Sequence, residues 1–193
     1  RRDKLDRPDR MIYDLDPSDG DFGAVIAAAR DIRDVMEQVG LVPFVQTTGS
    51  RGLHVVIPLD RSADFDEVRK FARDVAEMLA RRHKDTYTVE HRKDERRGRL
   101  FLDYLRNAYG QTAVPPYGVR ARHGAPVATP LDWDELSRVD SAQKYHAGNI
   151  LRRLSQKGDP WTGIGRRARG LTSPRKKLDE MLDESQSSSE SSG

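Results

Sequence analysis

The sequence predicts an α+β (α/β-like) domain whose mixed, mostly antiparallel sheet is flanked by helices, and three observations predict it. Two long segments, residues 22–39 and 65–82, carry apolar side chains at helical spacing. Short apolar runs at 11–16, 41–47, 53–59 and 100–104 are bounded by Gly, Pro and Asp and have strand lengths. Helices and strands alternate early and strands then dominate, an order that lays helices on one face of a sheet.

Each element has a local reason. Residues 1–10 are polar and rich in Arg and Lys, with Pro8, and read as a linker or the end of an upstream segment. Residues 11–16 form a strand that Pro17 ends, and Pro17-Ser18-Asp19-Gly20 is a turn. Asp21 caps the first helix, whose stripe is Val25, Ile26, Ala29, Ile32, Val35, Met36 and Val39, and Gly40 stops it. Two strands follow, joined by Thr48-Gly49-Ser50-Arg51-Gly52. Ser62 or Asp64 caps the second helix, which turns Val68, Phe71, Ala72, Val75, Met78 and Leu79 inward. Residues 87–89 and 100–104 are short strands, and 110–130, punctuated by Gly and Pro, is irregular strand and loop. A short helix starts at Asp132, and 142–154 reads as another. The apolar pattern fades after about Asp159. The expected organisation is therefore a core over 11–160 and a basic, then Ser-rich, largely disordered tail over 161–193.

Composition excludes several classes. The chain has 193 residues, enough for one domain with a real core, and 34% of them are charged, as in a soluble protein. No apolar run reaches the length of a membrane span. With no cysteine, disulfides, thiolate metal sites and cysteine nucleophiles are out. The first residue is Arg, which reads as a piece cut from a longer chain. Net charge is only +3, but basic residues cluster at 81–84, 92–99 and 152–177. Such zones attract phosphate backbones, although the interleaved acids Asp85, Glu90, Asp94 and Glu95 also suit a merely solvated face.

The chemistry-bearing residues are few. Asp14 and Asp16 are one residue apart at a strand end, so their side chains share a face. Two such carboxylates repel unless a cation lies between them, and Asp103, after Leu100-Phe101-Leu102, offers a third. An all-oxygen set suits Mg²⁺ or Mn²⁺ and two-metal phosphoryl transfer. The plain alternative is a set of turn aspartates. In the 48–52 loop, Gly49 and Gly52 let backbone N–H groups approach a phosphate, Thr48 and Ser50 add hydroxyls, and Arg51 adds a planar cation. His54 is placed to reach the same ligand. The alternative is an ordinary hairpin turn beside a core histidine. Arg120 and Arg122 alternate on one face, a geometry for a triphosphate or for solvent.

Taken in order, Asp14-Leu15-Asp16-Pro17, Thr47-Thr48-Gly49-Ser50-Arg51-Gly52-Leu53-His54, Leu102-Asp103-Tyr104-Leu105-Arg106-Asn107, Pro116-Tyr117-Gly118-Val119-Arg120 and Thr129-Pro130-Leu131-Asp132-Trp133 resemble the polymerase domain of bacterial DNA ligase D, in the archaeo-eukaryotic primase superfamily. The resemblance spans about residues 8–155. It implies a primase-type catalytic core in which Asp14, Asp16 and Asp103 hold two divalent ions, Mn²⁺ favoured over Mg²⁺. Thr48, Gly49, Ser50, Arg51, His54 and Arg120 bind the incoming NTP or dNTP, and Arg96 and Arg106 contact DNA. The implied activity is nucleotide addition to DNA 3′ ends in non-homologous end joining. The implied partners are DNA ends, Ku, and the ligase and phosphoesterase modules, in a bacterial cytoplasm at the nucleoid. Arg51 departs from the family's usual Lys, and the chain is expected to lack the family's N-terminal portion. Three alternatives stand: a catalytically idle DNA-end or Ku-binding fragment, a primase, and a haloacid dehalogenase-type phosphatase, which Pro17 and the single Asp103 fit poorly.

Overall fold

A computed structural model describes residues 4–17 and 20–190, with the side chains of 185–190 left out. Chain order runs β1 (Arg10–Leu15), α1 (Phe22–Gln38), β2 (Phe44–Thr47), β3 (Leu53–Pro58), α2 (Phe65–Arg82), β4 (Tyr87–Thr88), β5 (Leu100–Phe101), β6 (Pro130–Leu131), α3 (Ile150–Lys157) and α4 (Thr172–Glu190). The main sheet is antiparallel in the order β1-β3-β2-β6, and β4 and β5 make a small parallel pair. The expected α+β architecture with its mostly antiparallel sheet is present.

Local chemistry explains the helices. The Asp21 carboxylate accepts from the Gly23 and Ala24 N–H groups and starts α1. Asp64, rather than Ser62, caps α2, in a reciprocal capping box with Glu67. Gly40 follows α1 at φ +90°, a conformation that suits glycine. The expected turn at 17–20 falls partly on Ser18 and Asp19, outside the described residues.

Strand alternation then divides the sheet into two faces. Met11, Tyr13 and Leu15 of β1, Val45 of β2, and Leu53, Val55 and Ile57 of β3 are buried in the main core with Ile32 and Met36 of α1 and Phe71 and Val75 of α2. Each such side chain contributes about 1.5–3 kcal/mol by leaving water. The opposite face carries two rows across the strands. Phe44, Val56 and Ile12 form an apolar row that packs on Trp161. Next to it runs a polar row, Gln46, His54 and Asp14.

Three expectations need correction. Residues 161–182 are not a disordered tail. Trp161, Leu171 and Leu178 are buried, and Arg175 of α4 pairs with Asp74 and lies 5.9 Å from the Phe71 ring centre. The apolar residues here are too sparse among charges for a period to show in sequence. Helix α4 extends through Glu190, and residues 191–193 of the expected Ser-rich disorder lie outside the described part. Residues 4–10 are not a free linker: Leu59 N–H donates to the Asp9 carbonyl, Arg7 to the Ser62 carbonyl, and Arg61 to the Lys4 carbonyl. The helix expected at 142–154 begins only at Ile150. Tertiary pairing takes the earlier residues, because Val127 N–H donates to the Tyr145 carbonyl and Ala147 N–H to the Ala125 carbonyl.

Candidate active site

The polar row is set by register. Gln46 stands opposite His54, His54 opposite Asp14, and Asp14 opposite Asp103 through an isolated antiparallel bridge. Asp14 N–H donates to the Asp103 carbonyl at 3.0 Å, which brings the 100–104 segment to the free edge of β1. Asn107 completes that edge. Its amide oxygen accepts from Ile12 N–H and its NH₂ donates to the Ile12 carbonyl, both at 2.8 Å, as a neighbouring strand would. Asp16, two residues past Asp14, extends the acidic wall.

Protein donors attend two of these carboxylates. Arg106 Nε is 3.1 Å from Asp14 Oδ2, and His54 Nε2 is 3.4 Å from Asp14 Oδ1. Arg51 Nη2 is 3.2 Å from Asp16 Oδ2. Burial pushes the Asp14 carboxyl up, but the hydrogen bond from His54 and the neighbouring Arg106 guanidinium outweigh it, and the net displacement is downward. Asp103 moves the other way. Burial raises it, the Leu105 N–H bond at 2.8 Å partly offsets this, and the Asp14 charge adds to the rise. Two neighbouring carboxyls are thus driven apart, as at sites of acid–base or ionic chemistry.

The 48–52 loop is held by its own chemistry. The Thr48 hydroxyl accepts from the Ser50 and Gly52 N–H groups and donates to the Gly52 carbonyl. It therefore organises the loop, whereas sequence alone suggested a phosphate ligand. Glycine is required twice. A Cβ at Gly52 would lie 1.8 Å from the Leu15 carbonyl oxygen, and one at Gly49, already at φ +64°, would lie 2.9 Å from Arg120 Cγ. The glycines thus press the loop against the acidic strand end and against the Arg120 segment.

Two clefts meet at the acidic wall. The first, of about 560 Å³, is lined by Asp14, Asp16, Thr48, Ser50, His54, Arg106 and Arg120, with Thr112–Pro115 and Gly118–Val119 opposite. The second, of about 280 Å³, is lined by Asp14, Asp16, Asp103, Arg51, Lys93, Arg96 and Arg106, with Phe101. Arg106 borders both. Arg51 lines the second cleft and is not among the residues lining the first, where the loop motif had placed it. Arg96 stacks its guanidinium 4.2 Å from the Phe101 ring centre and donates to the Glu90 and His91 carbonyls, so it braces the wall it borders. Arg122 is exposed and lines neither cleft, because the chain turns after Arg120 and the expected alternation does not extend that far.

Among the described residues, no three His, Cys, Asp or Glu side chains stand ready as a metal cage. Asp14, Asp16 and Asp103 nonetheless line one cleft, and their oxygen-only donor chemistry fits a hard divalent cation. Arg51 on Asp16 and Arg106 on Asp14 offset part of the same negative charge.

A profile of the LigD primase-polymerase domain matches residues 1–161. The chain belongs to that family. It is 34% identical over 178 residues to a multifunctional non-homologous end joining protein LigD of Pseudomonas aeruginosa, covering 90% of this chain and 21% of the relative. A LigD of Mycobacterium tuberculosis is 34% identical over 151 residues, covering 78% of this chain and 20% of that protein. The chain thus spans about a fifth of the length of these curated relatives. Its fold matches a solved polymerase domain of Mycobacterium tuberculosis ligase D in complex with DNA, with a TM-score of 0.77, 30% identity, and coverage of 84% of this chain and 56% of that one. LigD membership leaves the phosphatase alternative unfavoured. No helix among the described residues is long and apolar enough to cross a membrane.

Sequence reasoning missed three residues of this LigD-type site. In the sequence Asn107 is hidden inside a longer motif, Lys93 inside a charge run, and Gln46 carries no signal beyond its place on a strand two residues from Phe44.

Proposed function

We propose that this chain is a metal-dependent nucleotidyltransferase that adds ribo- or deoxyribonucleotides to DNA 3′ ends during end joining. The observation that carries the proposal is the acidic wall: Asp14 and Asp16 are shared by two clefts with basic linings, and Asp103 joins them in the second. The first cleft suits a triphosphate. Arg120 and the His54 ring N–H offer donors to its oxygens, and backbone N–H groups of the glycine loop approach closely. The second suits the primer terminus, with Lys93, Arg96 and Arg51 facing its phosphates. Two Mg²⁺ or Mn²⁺ ions held by Asp14, Asp16 and Asp103 would neutralise charge at the reacting oxygens and make the 3′-hydroxyl more acidic. Arg106 and Arg51 would then turn from the carboxylates toward substrate phosphates, which keeps the charge of the site balanced at each stage. The relatives' names place them in end joining, and this supports DNA ends, Ku and the ligase and phosphoesterase modules as partners, with action at the bacterial nucleoid.

The test is extension of a recessed 3′ end in the presence of Mn²⁺, comparing the chain with Asp14→Ala/Asp16→Ala. Extension should fall by at least about a thousandfold in the double variant. Equal extension by both would overturn the assignment. A chain that binds DNA ends equally well in both forms and extends neither would instead support the idle end-binding alternative. Synthesis on a template without a primer would identify a primase.

A further inference from the structure

We infer that Gln46 is a positioning residue of this site, and that its buried amide fixes which nitrogen of His54 carries the proton. Gln46 is 1% exposed. Its side-chain nitrogen is 3.0 Å from the Val114 carbonyl oxygen and 3.3 Å from His54 Nδ1. A carbonyl only accepts, so the amide end that faces Val114 is the NH₂; the reverse orientation would set two oxygens against each other. The second amide hydrogen then points at His54 Nδ1, which must accept it. A neutral imidazole that accepts at Nδ1 carries its hydrogen on Nε2. That atom is the one 3.4 Å from Asp14 Oδ1, in a residue that lines the first cleft.

Amide, ring and carboxylate therefore form one directed chain across β2, β3 and β1, and each link is fixed by strand register. The direction matters because the group nearest Nε2 and the ligand read into the cleft are both acceptors. Asp14 is a carboxylate, and a triphosphate entering the cleft presents anionic oxygens. With the hydrogen on Nε2, the ring donates to either and can pass from one to the other. With the hydrogen on Nδ1, a lone pair would face those anions. This consequence rests on the nucleotide reading of the cleft; the tautomer itself does not.

Gln46 also holds Val114, part of the opposite wall of that cleft, so a purely structural role must be separable. The experiment is long-range ¹H–¹⁵N correlation of the histidine rings in the full chain, paired with calorimetric titration of GTP in Mg²⁺. In the wild-type chain His54 Nδ1 should be pyridine-like and Nε2 pyrrole-like. In Gln46→Glu the carboxylate accepts from Nδ1–H, so Nδ1 should become protonated. In Gln46→Met, which keeps the shape without the amide, the ring should lose its single pattern. GTP affinity should fall about tenfold in Gln46→Met, roughly the effect of one lost charge-assisted hydrogen bond. A wild-type ring with its hydrogen on Nδ1 would overturn the inference without need of any variant. So would a Gln46→Met ring that keeps the wild-type pattern while affinity falls, because Gln46 would then act only through Val114. If the chain binds no GTP but the ring patterns follow expectation, the positioning inference holds and the nucleotide reading fails.

Discussion

On the helix-covered side of the main sheet, Met11, Tyr13, Leu15, Val45, Val55 and Ile57 meet α1 and α2 in a dry core. On the other side of the same strands, one residue away in each case, stand Ile12, Asp14, Asp16, Gln46, His54 and Val56. The first face draws its stability from area removed from water, and hydrophobic residues of similar volume are interchangeable there to first order. The second face gathers buried or half-buried charge whose worth lies in direction: which oxygen, which nitrogen, which neighbour. A period-2 strand serves both needs at once, because neighbouring residues on it never share a face.

Three substitutions break or sharpen that contrast. Asp103→Asn has the largest expected effect and separates function from stability. Nucleotide addition should fall by several orders of magnitude, since the three carboxylates act as a unit. Stability should rise, measured as Tm in chelator at neutral pH. Burial raises the Asp103 carboxyl above its unfolded value, so folding is penalised wherever the group is charged. That penalty is complete above the raised folded value and vanishes below the ordinary carboxylate value. The gain in Tm should therefore shrink as pH falls through this window, and a gain that grew with acid would show the sign to be wrong.

Ile32→Ala tests the other face. Ile32 is fully buried between α1 and the sheet, and losing it should cost about 3 kcal/mol in urea unfolding. The folded protein that remains should keep its nucleotide affinity, because Ile32 belongs to the helix-covered core and the polar row lies on the other face of the sheet. A matched loss of affinity would mean that the two faces are coupled. Asn107→Ala has the smallest expected effect, about 2 kcal/mol, because it leaves the Ile12 N–H and carbonyl without partners at a buried edge. It should also speed hydrogen exchange at Ile12 more than at Val45 of β2, which lies between β3 and β6.

The helix-covered face was legible from sequence because burial alone selects its residues. The stripes of α1 and α2, the Asp21 cap and the strand limits follow from period, cap and turn chemistry, and the structure places them within a few residues. Asp14 and Asp16 were legible because their spacing is short and local. Residues 161–182 were not, since Leu171, Leu178 and Trp161 gain meaning only from the partners they pack against. Nor was the placement of Arg51, because a loop sequence does not say on which side of an acidic wall its side chains fall.

By itself, then, the sequence determined the α+β class, the two helices with their caps, the acidic pair, and the ordered motifs of the LigD primase-polymerase family. Tertiary structure alone decided three things. It brought Asp103 opposite Asp14 from 89 positions away in the chain. It set Gln46, His54 and Asp14 in one row. It turned Arg106 to the border between two clefts. The physical reason is range. Propensity, capping and period act over a few residues, whereas a site is made by strand register and by chain segments far apart in sequence, and both exist only once the core has closed.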